Sequence, residues 1–374
     1  MWLDWIILIV GMLLLIKGAD FFVDGASKIA KAMHVPSLII GLTLVSMGTS
    51  APELSVSLQA SLAKSNDLSF GNVVESNIFN TFLILGCASI FVPLVISDEM
   101  KKYDIPIMVL LYGLMLLFGF VITPYKLDLI ESIIFILLFV SYIALLIVRA
   151  KKAKLDVQEE TKEGISVKNV ILSVLIAVAG IFAIIENYYI TIGVMVVFVV
   201  ILLLKFKKTV NESLNKLNIL FSIIFVGAGL VAIIGGGTFV VNSASNIATS
   251  LGMSEALVGL TIVAVGTSLP ELVTSVVASI KKENDIAIGN VIGSNIFNII
   301  FILGVSSSIS NLTIKEKISF GISESLADLL VLLLSGILVF IISRLGKDIK
   351  KWQGVIFIVL YIAYIAYIVL REFA

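Results

Sequence analysis

Apolar stretches long enough to cross a lipid bilayer recur from one end of this chain to the other. Hydrophobic residues account for 59% of the 374 residues and charged residues for only 14%, whereas a soluble domain carries about 25% charged residues. A membrane-spanning helix needs about 20 mostly apolar residues. The sequence therefore predicts an all-α polytopic membrane protein in which short polar connections separate the helices.

Twelve segments satisfy this requirement of length and apolarity. The predicted transmembrane helices cover residues 2–31, 36–63, 68–94, 103–122, 128–149, 168–185, 188–206, 217–249, 255–280, 285–309, 321–344 and 351–371. The only sizeable polar connection runs from Ala150 to Lys168, and its many charges indicate a solvated loop. No basic region precedes the first apolar stretch, which favours a retained helix over a cleaved signal peptide.

The remaining composition excludes several classes of protein. The formal net charge is zero and the basic residues lie in short connections, so no nucleic-acid partner is implied. A single cysteine, Cys87, and a single histidine, His34, exclude a disulfide framework and a zinc site built from these residue types. The sequence implies no cofactor and no protein partner.

Two pairs of near-identical strings divide the chain into two copies. GLTLVSMGTSAPEL (Gly41 to Leu54) is repeated as GLTIVAVGTSLPEL (Gly259 to Leu272), and GNVVESNIFN (Gly71 to Asn80) is repeated as GNVIGSNIFN (Gly289 to Asn298). Corresponding residues are 218 positions apart in both pairs. We therefore predict a first repeat over residues 1–150 and a second over 216–374, joined by a connecting loop and an extra helix pair over 151–215.

The distribution of basic residues predicts how the two copies are oriented. Lysines and arginines concentrate in cytoplasmic connections, which places both termini outside the cell. The inward connections include Lys28, Lys101, Arg149, Lys205 and Lys281, whereas the outward connections hold few, among them Lys64 and Arg371. The second copy begins at the eighth predicted helix, an odd number of helices after the first. We therefore expect two inverted five-helix repeats with broken helices at the midplane, as in many secondary transporters.

Each copy contains one carboxylate inside a membrane-length segment. Glu53 is the only charged residue within 37–63, and Glu271 is the only one within 256–280. An ionisable side chain at this depth costs about 2.5–3.5 kcal/mol even on the lenient insertion scale, so it indicates a function. Polar side chains at helical spacing share a face with each glutamate, namely Ser46, Thr49 and Ser50 in the first copy and Thr267 and Ser268 in the second, where Ala264 replaces Ser46.

The prolines next to these glutamates predict interruptions of the helices. Pro52 and Pro270 cannot donate to the carbonyl four residues earlier, which should kink each helix and free the oxygens of Gly48 and Gly266. The second string of each copy adds further oxygen ligands and resembles another broken segment. These ligands are Ser76, Asn77 and Asn80 in the first copy and Ser294, Asn295 and Asn298 in the second.

This inventory consists of hard oxygen ligands, which suit calcium better than metals that prefer sulfur or imidazole. Two carboxylates neutralise one divalent cation. In an empty site the two negative charges would repel each other, so another cation or protons have to occupy it. This requirement favours ion exchange over leakage.

The paired GTSxPEL and GNVxxSNIFN strings resemble the alpha repeats of the calcium/cation antiporter superfamily, in its prokaryotic sodium/calcium exchanger branch. The resemblance extends over residues 1–86 and 218–304. It implies that Glu53, Glu271, Thr49 and Thr267 bind calcium. It also implies that Ser50, Ser76, Ser268 and Ser294, with the carbonyls of Ser46 and Ala264, form sodium sites, and that Asn80 and Asn298 complete the central cluster.

The sequence departs from the family pattern at two positions of this cluster. Glu75 occupies the position of Gly293 in the second copy, and the family usually has glycine there. A third carboxylate could alter the ion stoichiometry or introduce a proton, or it could face a crevice and tune access. Asn298 occupies a position where the potassium-dependent branch has aspartate, which argues against potassium coupling.

The resulting expectation is a multi-pass cell-membrane antiporter that exchanges sodium for calcium and is not an enzyme. A proton/calcium antiporter is the alternative within transport. A cation channel is a second class, although channels arrange carboxylates in rings along a pore. A membrane enzyme is disfavoured because the hydroxyl of Ser76 has no accompanying histidine, basic residue or zinc ligands.

Other charged residues have structural interpretations. We interpret Asp24 and Lys28 as an i,i+4 surface pair. Glu324 and Asp328 open a predicted helix and are expected at the membrane interface.

Overall fold

The computed structural model describes residues 2–157, 213–253, 264–314 and 317–372. Within these residues eight helices are long and apolar enough to cross a membrane, or nine if one bent pair counts as a span. The expected helical, polytopic membrane protein is confirmed. The predicted number of twelve helices is not tested, because the spans over 168–185 and 188–206 and the start of 255–280 lie outside the described residues.

Seven helices form before residue 158. They are α1 (Trp2–Met33), α2 (Ser37–Thr49, with the π-helical turn Gly41–Val45), α3 (Ala51–Leu62), α4 (Asn66–Phe79, the π-helical turn Asn80–Ile84 and Leu85–Phe91), α5 (Asp98–Lys102), α6 (Asp104–Leu117 and the π-helical turn Phe118–Ile122) and α7 (Leu129–Val157).

The described residues after 212 form six more helices. They are α8 (Ser213–Ser250), α9 (Ala264–Gly266), α10 (Leu269–Ile280), α11 (Asn284–Phe297, the π-helical turn Asn298–Leu303 and Gly304–Ile309), α12 (Glu324–Leu345) and α13 (Lys351–Glu372).

The end of α7 corrects one sequence prediction. The predicted solvated loop from Ala150 to Lys168 is helical as far as Val157, and its remainder lies outside the described residues. The helix continues because Arg149 is buried and bonded within the fold, and because the alanines and lysines that follow have high helix propensity.

Local structure repeats between the two copies in detail. Helices α3 and α10 each have 12 residues, and each is followed by a turn and a 14-residue helix, Asn66–Phe79 or Asn284–Phe297. The turns are also alike, since Lys64 and Lys282 both adopt left-handed backbone conformations, with φ of 58° and 63°. Nearly identical strings have thus folded into nearly identical elements.

Within the described residues, three two-stranded ladders add a little β structure to the expected all-α fold. Strand β1 (Leu94–Val95) pairs with β6 (Asp348–Ile349), and β2 (Lys126–Leu127) pairs with β3 (Leu312–Thr313). Strands β4 (Ile318–Ser319) and β5 (Ile322–Ser323) form a tight hairpin before α12. The first two ladders are related by the repeat. In each of them, a strand that follows α4 or α11 in one copy pairs with a strand that precedes the last helix, α13 or α7, of the other copy.

Helices α1 and α8 pack against each other along glycine faces. A Cβ atom on Gly229 would lie 2.7 Å from the carbonyl oxygen of Gly18, and one on Gly236 would lie 2.8 Å from that of Gly11. Such close approach of two backbones needs residues without side chains. By contrast, a Cβ atom on Gly235 would meet no atom within 4 Å.

The core of the molecule consists of α4 and α11. Helix α11 is buried along its whole membrane-length window, whereas most of the corresponding window of α1 is exposed at the surface of the protein. Both core helices carry the second string of their copy, so the asparagines and serines of these strings lie in the interior. This arrangement directs the polar residues away from lipid.

Each copy also contains a buried arginine–aspartate–tyrosine cluster. Arg149 on α7 bonds Asp104 through Nη1 at 2.8 Å, and Tyr142 donates to the same carboxylate at 3.0 Å. In the second copy Arg371 on α13 bonds Asp328 at 2.7 Å, and Tyr364 donates to it at 3.1 Å. Buried charges are stable when they are paired and hydrogen-bonded in this way.

These clusters bear on two sequence interpretations. Asp328 and Glu324 are buried beside Arg371, and their expected position at the membrane interface stays a prediction. Arg149 and Arg371 pair inside the fold, so they are not markers of solvent-facing connections.

An ion-pair network joins α1 to the turn after α10. Lys281 contacts the carboxylates of Asp20 and Asp24, and Ser27 donates to Glu283 at 2.6 Å. The interpretation of Asp24 and Lys28 as a surface pair was wrong, because Asp24 bonds Lys281 and the Lys28 ammonium lies over the ring of Phe225. Burial opposes the charge of Lys281, but its bonds to Asp20 and Asp24 raise the pKa of Lys281 above the usual value.

Candidate cation-binding site

Two interrupted helices present the glutamates. The axes of α2 and α3 differ by 48° at Ser50, whose φ and ψ are −81° and 10°. Ser268 has nearly the same conformation, −94° and 7°, between α9 and α10. The predicted kink of the first copy is thus confirmed, and the helix of the second copy is interrupted at the matching residue. The carbonyl of Gly48, expected to be free, instead accepts a backbone N–H where α2 ends.

Each glutamate lies in the first turn of the helix that follows the break. Glu53 is in the first turn of α3 and Glu271 is in the first turn of α10. The N-terminus of a helix carries partial positive charge and unbonded N–H groups, which favour a carboxylate there. The breaks therefore both expose backbone groups and help to stabilise the buried charges.

The two copies exchange hydrogen bonds at these glutamates. Ser268 donates to Oε1 of Glu53 at 2.9 Å, and Ser50 donates to Oε1 of Glu271 at 2.8 Å. Both glutamates are almost completely buried, with 1% and 0% of their surface exposed. The Oε2 atom of each is buried without a hydrogen-bond partner among the described residues. One oxygen of each carboxylate is thus oriented by the opposite copy, and the other is left available.

No basic side chain within the described residues forms an ion pair with either glutamate. The two carboxylates are close enough for their charges to interact with each other. Two buried carboxylates without a counter-ion are strongly unfavourable. The arrangement therefore needs a cation or protons to balance its charge.

Further ligands have to come from neutral oxygens. The described residues contain no group of three or more histidine, cysteine, aspartate or glutamate side chains that could hold a metal ion. Thr49 is fully buried, and its hydroxyl lies 3.0 Å from Oδ1 of Asn290. The hydroxyl of Thr267 is buried without a partner among the described residues. Both threonines were predicted as ligands.

Buried asparagines extend this polar region. Asn298 donates to Oδ1 of Asn77 at 2.9 Å, and its own Oδ1 lacks a partner among the described residues. Both amide atoms of Asn80 are also buried without a described partner. Asn80 and Asn298 begin the π-helical turns of α4 and α11, and such turns often occur at functional sites. Unsatisfied buried oxygens of this kind are suited to a ligand.

The other predicted residues have different surroundings. Ser294 donates to the carbonyl of Ser46 at 3.4 Å, which links the two copies again. Ser76 is buried. Ala264 begins the short helix α9, but its side chain lies outside the described part of the chain.

Glu75 has charge neighbours other than the two glutamates. It is partly buried, and its carboxylate interacts electrostatically with Asp328 and Arg371. Its place among the ion ligands stays a prediction. In the second copy, a Cβ atom on Gly293 would lie 2.7 Å from Oγ of Ser46, so that position requires glycine. The two copies therefore differ at Glu75 and Gly293, the position where the sequence departs from the family pattern.

Sequence reasoning missed two residues beside the glutamates. Asn72 donates to the backbone carbonyl of Glu53 at 3.2 Å, and Asn290 donates to that of Glu271 at 3.4 Å. The available signal was the asparagine that follows the first glycine in both GNV strings, whose recurrence was used only to align the copies.

The fold and the site together define a polytopic membrane protein with a buried acidic, oxygen-rich site between two interrupted helices. The family model described as sodium/calcium exchanger protein matches residues 3–148 and 221–370. The chain belongs to this family of antiporters, which are membrane transporters rather than enzymes.

Individual relatives and structures agree with this assignment. The chain is 33% identical to the sodium/calcium exchanger MaX1 of Methanosarcina acetivorans, over 97% of each protein. It is 32% identical to the putative antiporter CaxA of Alkalimonas amylolytica, over 96% of each. A structure of the sodium-calcium exchanger NCX_Mj, soaked with Na⁺ and Sr²⁺, matches with a TM-score of 0.73 and 26% identity and covers 97% of this chain and 98% of its own.

Proposed function

We propose that this protein is a secondary active antiporter that exchanges sodium for calcium across the cell membrane by alternating access. The observation that carries the proposal is the reciprocal pair of hydrogen bonds, Ser268 to Glu53 and Ser50 to Glu271. These bonds bring two otherwise uncompensated carboxylates to one buried region. Their combined charge of −2 matches one calcium ion.

Calcium is bound in this proposal by Glu53, Glu271, Thr49 and Thr267. Calcium accepts six to eight oxygen ligands in flexible geometry, and free buried oxygens on both carboxylates support this assignment. Sodium occupies flanking sites, whose proposed ligands are Ser50, Ser76, Ser268 and Ser294, with the carbonyls of Ser46 and Ala264. Asn80 and Asn298 complete the centre.

Alternating access follows from an inverted repeat, with residues 1–150 and 216–374 as its two halves and 151–215 between them. Reciprocal contacts support this division, because Ser50 and Ser268 exchange roles and so do the ladders β1–β6 and β2–β3. In transporters of this architecture the substrate lies where the repeats meet.

Both termini face outward in the proposed topology. Lys28, Lys31, Lys281 and Lys282 lie near one end of the bundle, at the end of α1 and after α10, and cytoplasmic connections are rich in such residues. Arg149 and Arg371 are buried in ion pairs and are therefore not counted. The excess of lysines at the proposed cytoplasmic end remains without them.

The names of the relatives support sodium as the coupling ion. MaX1 is named a sodium/calcium exchanger, and the matching structures of the sodium-calcium exchanger NCX_Mj include crystals soaked with sodium together with strontium or calcium. Glu75 interacts electrostatically with Asp328 and Arg371, which supports a calcium site built on the two carboxylates of Glu53 and Glu271.

The test is calcium uptake by the purified protein in proteoliposomes under separately imposed gradients. A sodium gradient alone should drive radioactive calcium into the vesicles, and a pH gradient alone should not. Uptake driven by the pH gradient but indifferent to sodium would establish proton/calcium exchange instead. Uptake that neither saturates nor requires a counter-ion would indicate a channel.

A further inference from the structure

The two asparagines beside the glutamates occupy equivalent places and make equivalent bonds. Asn72 on α4 donates both to the carbonyl of Glu53, at 3.2 Å, and to Oγ of Ser57, at 2.9 Å. Asn290 on α11 donates to the carbonyl of Glu271, at 3.4 Å, and to Oγ of Ser275, at 2.9 Å. Each amide group thus spans one turn of the helix that carries the glutamate.

These bonds determine which way each amide faces. A backbone carbonyl can only accept, so the NH₂ group of each asparagine has to face the glutamate turn. The amide oxygen therefore points elsewhere. In Asn290 this oxygen lies 3.0 Å from the hydroxyl of Thr49, which belongs to the opposite copy.

The contact with Thr49 has a consequence for its hydroxyl. A threonine hydroxyl has one proton to donate and two lone pairs to offer. The acceptors around Thr49 include Oδ1 of Asn290 and the carbonyls of Val45 and Ser46, and the carboxylate of Glu271 is also within reach of its hydroxyl. When the proton is directed toward one of these acceptors, the lone pairs remain for a cation.

The first copy lacks the matching contact with a threonine. Thr267 corresponds to Thr49, but its hydroxyl is buried without a partner among the described residues. Asn72 therefore holds the turn of Glu53 without bonding the opposite threonine. The two asparagines provide a natural comparison, because only Asn290 connects a glutamate of one copy with a threonine of the other.

We propose that Asn290 is a positioning residue that orients the Thr49 hydroxyl and the Glu271 turn toward the same cation, and that Asn72 holds the Glu53 turn alone. This inference rests on the proposed function and deepens it, because it concerns residues that do not themselves touch the ion. Groups that bond the ligands of a metal typically change its affinity by about 10- to 100-fold when they are removed.

The experiment is equilibrium binding of radioactive calcium to the purified full-length protein in sodium-free detergent solution. Asn290→Leu keeps the volume of the side chain and removes its polar atoms. It should weaken calcium binding by about ten-fold or more. The matched control is Ser307→Ala, which removes a buried hydrogen bond of 2.7 Å between Ser132 and Ser307 on α7 and α11, outside this network, and should leave the affinity unchanged.

A double-mutant cycle separates positioning from general support of the fold. Asn290→Leu should weaken binding less in a Thr49→Val background than in the parent, because the hydroxyl that it orients is already absent. Asn72→Leu should have the same effect in both backgrounds, since separate effects add. Equal effects of Asn290→Leu in both backgrounds would overturn the assignment to Thr49.

Two further measurements keep the inference testable. If Asn290→Leu does not fold, Ser275→Ala provides a second variant, because it removes one acceptor of the Asn290 amide. Ser275→Ala should also weaken calcium binding. An unchanged calcium affinity in this variant would contradict the proposal. Saturable calcium binding by the parent tests the proposed function itself. A parent that binds calcium while Asn290→Leu binds equally well refutes only the positioning role, whereas a parent that binds none refutes both.

Discussion

Glu53 and Glu271 each have one oxygen bonded to a serine of the opposite copy and one oxygen without a partner among the described residues. We expect Glu53→Gln to abolish calcium transport. Glutamine keeps the size of the side chain, but the pair then offers one negative charge instead of two to a divalent ion. Sodium-driven uptake of radioactive calcium into proteoliposomes measures the effect. Uptake at the level of the parent would contradict a shared site.

The position of Glu75 leads to a contrasting expectation. Because its charge neighbours are Asp328 and Arg371, Glu75→Gly should preserve sodium-driven calcium uptake. The same measurement as for Glu53→Gln gives a direct comparison of the two carboxylates. Loss of transport with an intact fold, judged by size-exclusion chromatography, would show that the third carboxylate takes part in ion binding.

The sequence indicated the buried glutamates and serines that meet between the two copies better than the side chains that bond to their helices. Glu53, Glu271 and the two serines were evident because charge and hydroxyl spacing recur in apolar surroundings. Asn72 and Asn290 were not distinguished, because an amide can bond many partners and only the packing of α4 on α3 and of α11 on α10 determines which one it meets. The partners of Arg149 and Arg371 escaped prediction for the same reason.

At the scale of elements, α1 and α8 form a close pair through glycines. Gly229→Val should destabilise the protein by about 1–3 kcal/mol, because overpacking forces neighbouring groups apart and the new Cβ would lie 2.7 Å from a backbone oxygen. Thermal unfolding in detergent measures the loss. Gly235→Val is the matched control on the same helix, since its Cβ would meet no atom within 4 Å. An equal loss in both variants would assign the effect to helix propensity rather than to the contact.

Helix positions were largely predictable because a span of about 20 apolar residues has few alternatives to a helix in a membrane. The position of the breaks was predictable from Pro52 and Pro270. The extension of α7 to Val157 was not, because it depends on the ion pairs that bury Arg149. The short strands also depend on pairing between distant segments, such as Leu94 with Ile349.

For the whole molecule, calcium should act as a stabilising ligand. A ligand that binds only the folded state at 100 times its dissociation constant stabilises that state by about 2.7 kcal/mol. We expect calcium to raise the melting temperature of the parent in sodium-free detergent solution, and Glu53→Gln to remove most of this increase. Magnesium, which demands stricter geometry and retains its water, is the matched control and should have a smaller effect. Identical shifts with both ions, or a full shift in Glu53→Gln, would contradict specific binding at the carboxylate pair.

The crossed bonds between Ser268 and Glu53 and between Ser50 and Glu271 mean that neither half of the polypeptide contains the complete proposed cation site. A half synthesised alone would contain a glutamate without the serine hydroxyl that donates to it, because that serine belongs to the other half. In the proposed antiporter, tight calcium binding would therefore require that both halves are synthesised, inserted and joined.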